Sequence, residues 1–169
     1  MRIIGTLLLI LSFSVFASAP KESVDTLNET FPDLNFITPD GDSAAISDYR
    51  GKVVLVKLWA TWCGRCRAEW PQHQALYDKV KADSDVEIIT LQVFEEPEVS
   101  EAWADTQGYD VPLFVNPVTD RGALETKDGS LFFVKGTPMV FLIDKDGTLR
   151  KKSVGGNGKI NESDVRQWL

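Results

Sequence analysis

The 169-residue sequence predicts an α/β fold: a mixed central sheet in a three-layer α/β/α arrangement, with an N-terminal hairpin added to it. Three observations predict this. Apolar strand-like runs alternate with helical patterns in the first half of the domain, as in parallel strand–helix–strand units. The second half then changes to two strands around a tight turn and a closing helix, so antiparallel strands must join the same sheet. A short alternating segment with its own turn precedes the first long strand.

The elements follow in order. Met1-Arg2 opens the chain, Ile3 to Phe16 is mostly apolar, and Ala17-Ser18-Ala19 supplies the small residues of a signal-peptidase site, so residues 1–19 read as an export signal. Pro20 obstructs a cut after Ala19, which leaves a cut after Ala17 as the alternative. The apolar run is shorter than the roughly 20 residues that span a bilayer, so a permanent anchor ranks second. Residues 20–30 read as a polar linker and residues 31–169 as one domain.

Phe31 to Phe36 alternates, Thr38-Pro39-Asp40-Gly41-Asp42 is a turn, and Ser43 to Ile46 is the return strand. Ser47 to Gly51 forms one capped helical turn closed by glycine. Lys52 to Trp59 is a β-branched, apolar run suited to the middle of a sheet. Arg65 to Lys81 has helical spacing, interrupted by Pro71, which should kink it. Val86 to Val93 is a second buried strand, Glu98 to Thr106 a helix ended near Gly108, and Leu113 to Val115 a short strand. Thr119 to Thr126 reads as an irregular helix. Pro138 to Ile143 and Leu149 to Val154 flank the turn Asp144-Lys145-Asp146-Gly147. Gly155 to Gly158 is a flexible loop, and Asn161 or Ser163 caps a last helix ending at Trp168-Leu169.

Composition narrows the function. Hydrophobic residues make up 43% and charged residues 25% of the chain, ordinary values for a globular domain. The net charge of −7 becomes −8 if Arg2 leaves with a signal, which argues against nucleic acid or an anionic membrane as the main partner. There is no phosphate-binding glycine loop, no paired-carboxylate glycosidase pattern and no Ser/His/Asp set. His73, the single histidine, has no ligand cluster around it and reads as a surface or helix-packing residue.

The chemistry lies in Trp62-Cys63-Gly64-Arg65-Cys66, which holds the only two cysteines. A Cys-x-x-Cys pair between a strand and a helix places the first thiol at a helix N-terminus, where unpaired N–H groups and the helix dipole favour a thiolate. Arg65 and Arg67 add positive charge. Cys63 is therefore the candidate nucleophile, and Cys66, one turn on, the resolving thiol. The alternative is a static disulfide, which would stabilise little because its loop is so small. Trp59 reads as core.

Lys57 to Pro71 resembles the active-site segment of thioredoxin-fold proteins, and most closely the exported TlpA/ResA/DsbE (CcmG) type of thiol–disulfide oxidoreductase. Gly136-Thr137-Pro138 through Gly147 resembles that family's second segment. The resemblance implies a thioredoxin-like fold, no cofactor, protein thiols and disulfides as substrates, a membrane electron donor, and a reductase activity such as one serving cytochrome c maturation in the periplasm. A monomer is expected. It implies Trp62 as an aromatic lid, although a plain core or rim tryptophan is the other reading. It implies a cis Thr137-Pro138 bond facing Cys63 and presenting the partner, and Glu69 as an acid that relays the Cys66 proton; a surface glutamate is the alternative. Lys57 departs from ordinary thioredoxins, where a buried aspartate holds its place. Pointing inward it needs a partner, with Glu69 the obvious one, and would make the disulfide more oxidising; pointing outward it is a solvated lysine. An oxidant or isomerase, or a Cu(I) metallochaperone using the two thiolates, are the competing functions.

Overall fold

The computed structural model describes residues 27–118, 120, 122–156 and 159–169. The expected export signal lies outside these residues, as do Asn157 and Gly158 of the expected glycine loop. Among the described residues the strands are β1 (Glu29–Thr30), β2 (Asn35–Ile37), β3 (Ser43–Ala45), β4 (Val53–Trp59), β5 (Val86–Gln92), β6 (Leu113–Phe114), β7 (Ala123–Glu125), β8 (Leu131–Phe133), β9 (Met139–Ile143) and β10 (Thr148–Val154). The helices are α1 (Gly64–Val80), α2 (Pro97–Gln107) and α3 (Glu162–Arg166), with a 3-10 turn at Ile46–Tyr49.

Six strands form one mixed sheet in the order β1-β10-β9-β4-β5-β6. β4, β5 and β6 run parallel, joined by α1 and α2, while β9 pairs antiparallel with β4 and β10 with β9. β4 lies between β5 and β9 and is buried along all seven residues, which are apolar but for Lys57. Its even-numbered residues Val54, Val56 and Leu58 face one core and its odd-numbered Val53 and Leu55 another. The odd-numbered face is covered by Leu76 and Val80 of α1 and Val165 of α3. The even-numbered face is covered by Phe31, Leu34, Phe36, Ile46, Leu124 and Val134. Its outer layer is thus built from the β2–β3 hairpin, the 3-10 turn and the β7–β8 segment. Glu29–Thr30, within the segment read as linker, pairs with β10.

The irregular helix expected at Thr119 to Thr126 is corrected by the structure. Ala123–Glu125 is a strand, paired antiparallel with Leu131–Phe133. Asp128 accepts from Ser130 N (3.0 Å) and Gly129 takes a φ of +82°, so the intervening residues supply turn chemistry that a helix cannot use. At two helix ends the local signals work as expected. Gly108 adopts the left-handed conformation that ends α2, and Asn161 caps α3 through Ser163 N at 2.9 Å. The expected interruption at Pro71 is corrected: α1 runs unbroken through it over 17 residues.

Candidate active site

β4 ends at Trp59, and the chain turns through Ala60-Thr61-Trp62 into α1. Cys63 is the N-cap of α1, in extended backbone (φ −74°, ψ 104°), and its Sγ accepts a hydrogen bond from Cys66 N at 3.1 Å. Cys63 and Cys66 form a disulfide with Cα atoms 5.2 Å apart. Once the disulfide opens, the same N–H and the orphan amides of the first turn are positioned to stabilise a thiolate. Both sulfurs are sheltered: Cys63 is 6% exposed and Cys66 is fully buried. They pack with Trp59, Ala60 and Trp70 in a separate small core, closed over by Trp103 of α2 and Tyr109.

Arg65 and Arg67 stand in the first turn of α1, which has no acidic residue. Cations there oppose the helix dipole, at a cost of about 0.3–1 kcal/mol each. The Arg65 guanidinium donates to the Gly155 carbonyl, tying the turn between the cysteines to the end of β10. Trp62 is 60% exposed, its ring centroid 6.1 Å from that of Phe94. Thr137-Pro138 is cis, as the sequence resemblance implies. It lies at the start of β9, whose Met139 pairs with Leu58, so it stands at the end of the sheet where β4 delivers Cys63. Pro138 is buried and its carbonyl accepts from Gly155 N at 2.8 Å, while the buried Thr137 Oγ1 has no hydrogen-bond partner.

Lys57 points inward, the orientation that alternation along β4 could not decide. It is 2% exposed on the α1 face, its Nζ 3.9 Å from Glu69 Oε2 and 5.5 Å from the Trp70 ring centroid. Burial lowers its pKa to about 8, and the Glu69 carboxylate opposes the shift. Glu69 is half-buried and lines a cavity of about 60 Å³ with Lys57, Gln72, His73, Ser153 and Lys159. His73 is a packing histidine. It is buried, with Nε2 2.8 Å from Thr90 Oγ1, and burial, aided by the Lys57 charge, holds its pKa well below 6.5. Among the described residues no cluster of His, Cys, Asp and Glu could hold a metal ion.

Sequence reasoning missed the loop after β5. Phe94 adopts a φ of +64°, a left-handed conformation that costs a bulky residue about 1–2 kcal/mol. The next residue, Glu95, accepts both Thr61 N (2.8 Å) and Thr61 Oγ1 (2.8 Å). Nothing local in the sequence marks either residue.

A sheltered disulfide at the N-cap of the helix that follows the central strand of a mixed sheet defines a thiol–disulfide oxidoreductase with a thioredoxin-like fold. The Redoxin family model matches residues 26–169, and the chain belongs to that family. It is 30% identical over 172 residues to the thiol-disulfide oxidoreductase ResA of Geobacillus thermodenitrificans, covering all of this chain and 92% of that protein. ResA of Bacillus subtilis is 29% identical, with 92% of this chain and 79% of that one covered. The same fold is seen in a thiol:disulfide interchange protein of the thioredoxin family from Chlorobium tepidum, at 22% identity, a TM-score of 0.59, and coverage of 85% and 98% of the two chains.

Proposed function

We propose that this oxidoreductase is exported, with residues 1–19 as its signal, 20–30 as linker and 31–169 as the redox domain, and that it reduces protein disulfides outside the cytoplasm. The observation that carries the reading is the Cys63–Cys66 disulfide at the α1 N-cap, with Glu69 on that helix facing the buried Lys57 of β4. In the reduced protein the Cys63 thiolate attacks one sulfur of a partner disulfide. The partner's other sulfur leaves as a thiolate, and a mixed disulfide forms on Cys63. Cys66 then gives up its proton and attacks Cys63 Sγ, which releases the second partner thiol and closes the Cys63–Cys66 bond. Two electrons have moved to the partner, and no cofactor is required. Glu69, three residues beyond Cys66 on the same helix, relays the proton to the cavity it lines. Trp62 and Thr137-Pro138 hold the partner. A membrane electron donor restores the dithiol, and reduction of cysteines for cytochrome c maturation is a fitting task for such a chain.

The buried ammonium of Lys57, against Glu69 and Trp70 of the helix that carries Cys66, favours the opposite direction, since positive charge in that region stabilises a thiolate and therefore the reduced protein. The reduction potential of the couple in a dithiothreitol or glutathione buffer decides between them. A value near that of thioredoxin, about −270 mV, supports the reductase; one near about −120 mV makes the protein an oxidant.

A further inference from the structure

The loop after β5 reaches back to the end of β4 and the redox turn through three successive residues, Val93, Phe94 and Glu95. Val93 N bonds to Trp59 O at 2.9 Å, extending the β4–β5 ladder by one residue. Phe94 then reverses the chain in a conformation that its side chain disfavours, and such conformations persist only where surroundings hold them. Its ring lies beside Trp62. Gly122 closes the other side, since a Cβ there would sit 2.9 Å from Phe94 Cε1. The reversal delivers the Glu95 carboxylate to Thr61, where its two oxygens take the backbone N–H and the hydroxyl. Thr61 is two residues before Cys63 and immediately before the exposed indole of Trp62. Among the described residues the turn's internal bond is Cys63 N to Ala60 O, at 3.2 Å.

We propose that Glu95 is a positioning residue of this oxidoreductase, a two-point clamp on Thr61 that fixes how Trp62 is presented to a protein partner beside Cys63. It touches no reacting sulfur. Its contribution is to hold the partner-binding surface in one arrangement, so that the surface need not be ordered again at each encounter. This inference rests on the thiol–disulfide exchange activity but not on its direction.

The test compares Glu95→Ala, Glu95→Gln and Thr61→Val in the purified protein. Insulin serves as the protein disulfide and a small aromatic disulfide as the control. Glu95→Ala should raise the KM for insulin about fivefold or more, while the rate constant with the small disulfide stays within about twofold of wild type. Glu95→Gln keeps a carbonyl for the Thr61 N–H and should recover most of the loss; Thr61→Val, which loses only the hydroxyl bond, should fall between. Amide exchange at Thr61 gives a readout independent of turnover, and should speed up about tenfold or more in Glu95→Ala. Unchanged Thr61 exchange, an unchanged KM, a parallel fall with both substrates, or a glutamine variant as impaired as alanine would each overturn the proposal. A wild-type protein inactive on any protein disulfide, with Thr61 exchange still responding to Glu95, would instead overturn the activity and with it the functional role of the clamp.

Discussion

Lys57→Met should stabilise the oxidised protein at neutral pH, and the gain should disappear in alkali. The ammonium is buried on a central strand, and its only close ion partner described is Glu69 at 3.9 Å, too far for a hydrogen bond. Burial lowers the lysine pKa from its ordinary 10.5 to about 8. At about 1.4 kcal/mol for each tenfold step, that gap corresponds to about 3 kcal/mol of penalty for folding around the charged form. Below pH 8 the lysine is charged in both the native and unfolded chain, so the penalty is fully present. Between pH 8 and 10.5 the native state gives up the proton first, and stability rises with pH. Above 10.5 the penalty is gone. Methionine carries no such charge, fits an irregular space and makes favourable contacts with aromatic rings such as Trp70. Urea unfolding of both proteins at pH 7 and at pH 10.5 measures the effect. The stability difference in favour of methionine should shrink by about 3 kcal/mol across that interval, a midpoint change on the order of 1–2 M urea. Groups that titrate in both proteins, such as Tyr49 and Lys81, cancel. A difference that does not vary with pH would refute the reasoning.

Three further outcomes are expected. Cys66→Ser should accumulate a mixed disulfide through Cys63 with a protein substrate, visible as a reducible adduct by mass spectrometry, whereas Cys63→Ser should form none. His73 is held neutral by burial, so below pH 6.5 the unfolded chain binds a proton that the native state resists; wild type should lose stability relative to His73→Gln as pH falls below 6.5, by at most about 1.4 kcal/mol per pH unit, in urea unfolding at a series of pH values. Asn161→Ala should remove the cap of α3 and cost about 1 kcal/mol in thermal or urea unfolding, without changing the reduction potential.

What the sequence made legible was whatever depends on neighbours along the chain. The β4 run, the Cys-x-x-Cys pair at a helix start, the Asp-Gly turn before β10 and the Gly108 helix end all rest on local composition. The direction of Lys57 was not legible, because both faces of β4 are apolar and alternation gives no reference. The structure decides it through register: Lys57 shares its face with Val53, Leu55 and Trp59, the residues under α1. The same reason hid the Thr90 partner of His73 and the Glu95 clamp on Thr61, which join residues 17 and 34 positions apart. At Thr119 to Thr126 the apolar residues were visible, but their strand partner, Leu131–Phe133, is short and half exposed. Local pattern alone therefore leaves the span looking helical.

The shelter around the sulfurs also bears on traffic between redox pools. Small thiols and oxidants diffuse everywhere and would discharge any freely accessible couple, whatever its potential. With Cys66 buried among tryptophans and Cys63 only 6% exposed, a collision meets just the small uncovered part of Cys63. Exchange then favours reagents that bring their own sulfur to Cys63, the less enclosed of the two. The aromatic wall thus acts as insulation between this couple and dissolved thiols at a different potential.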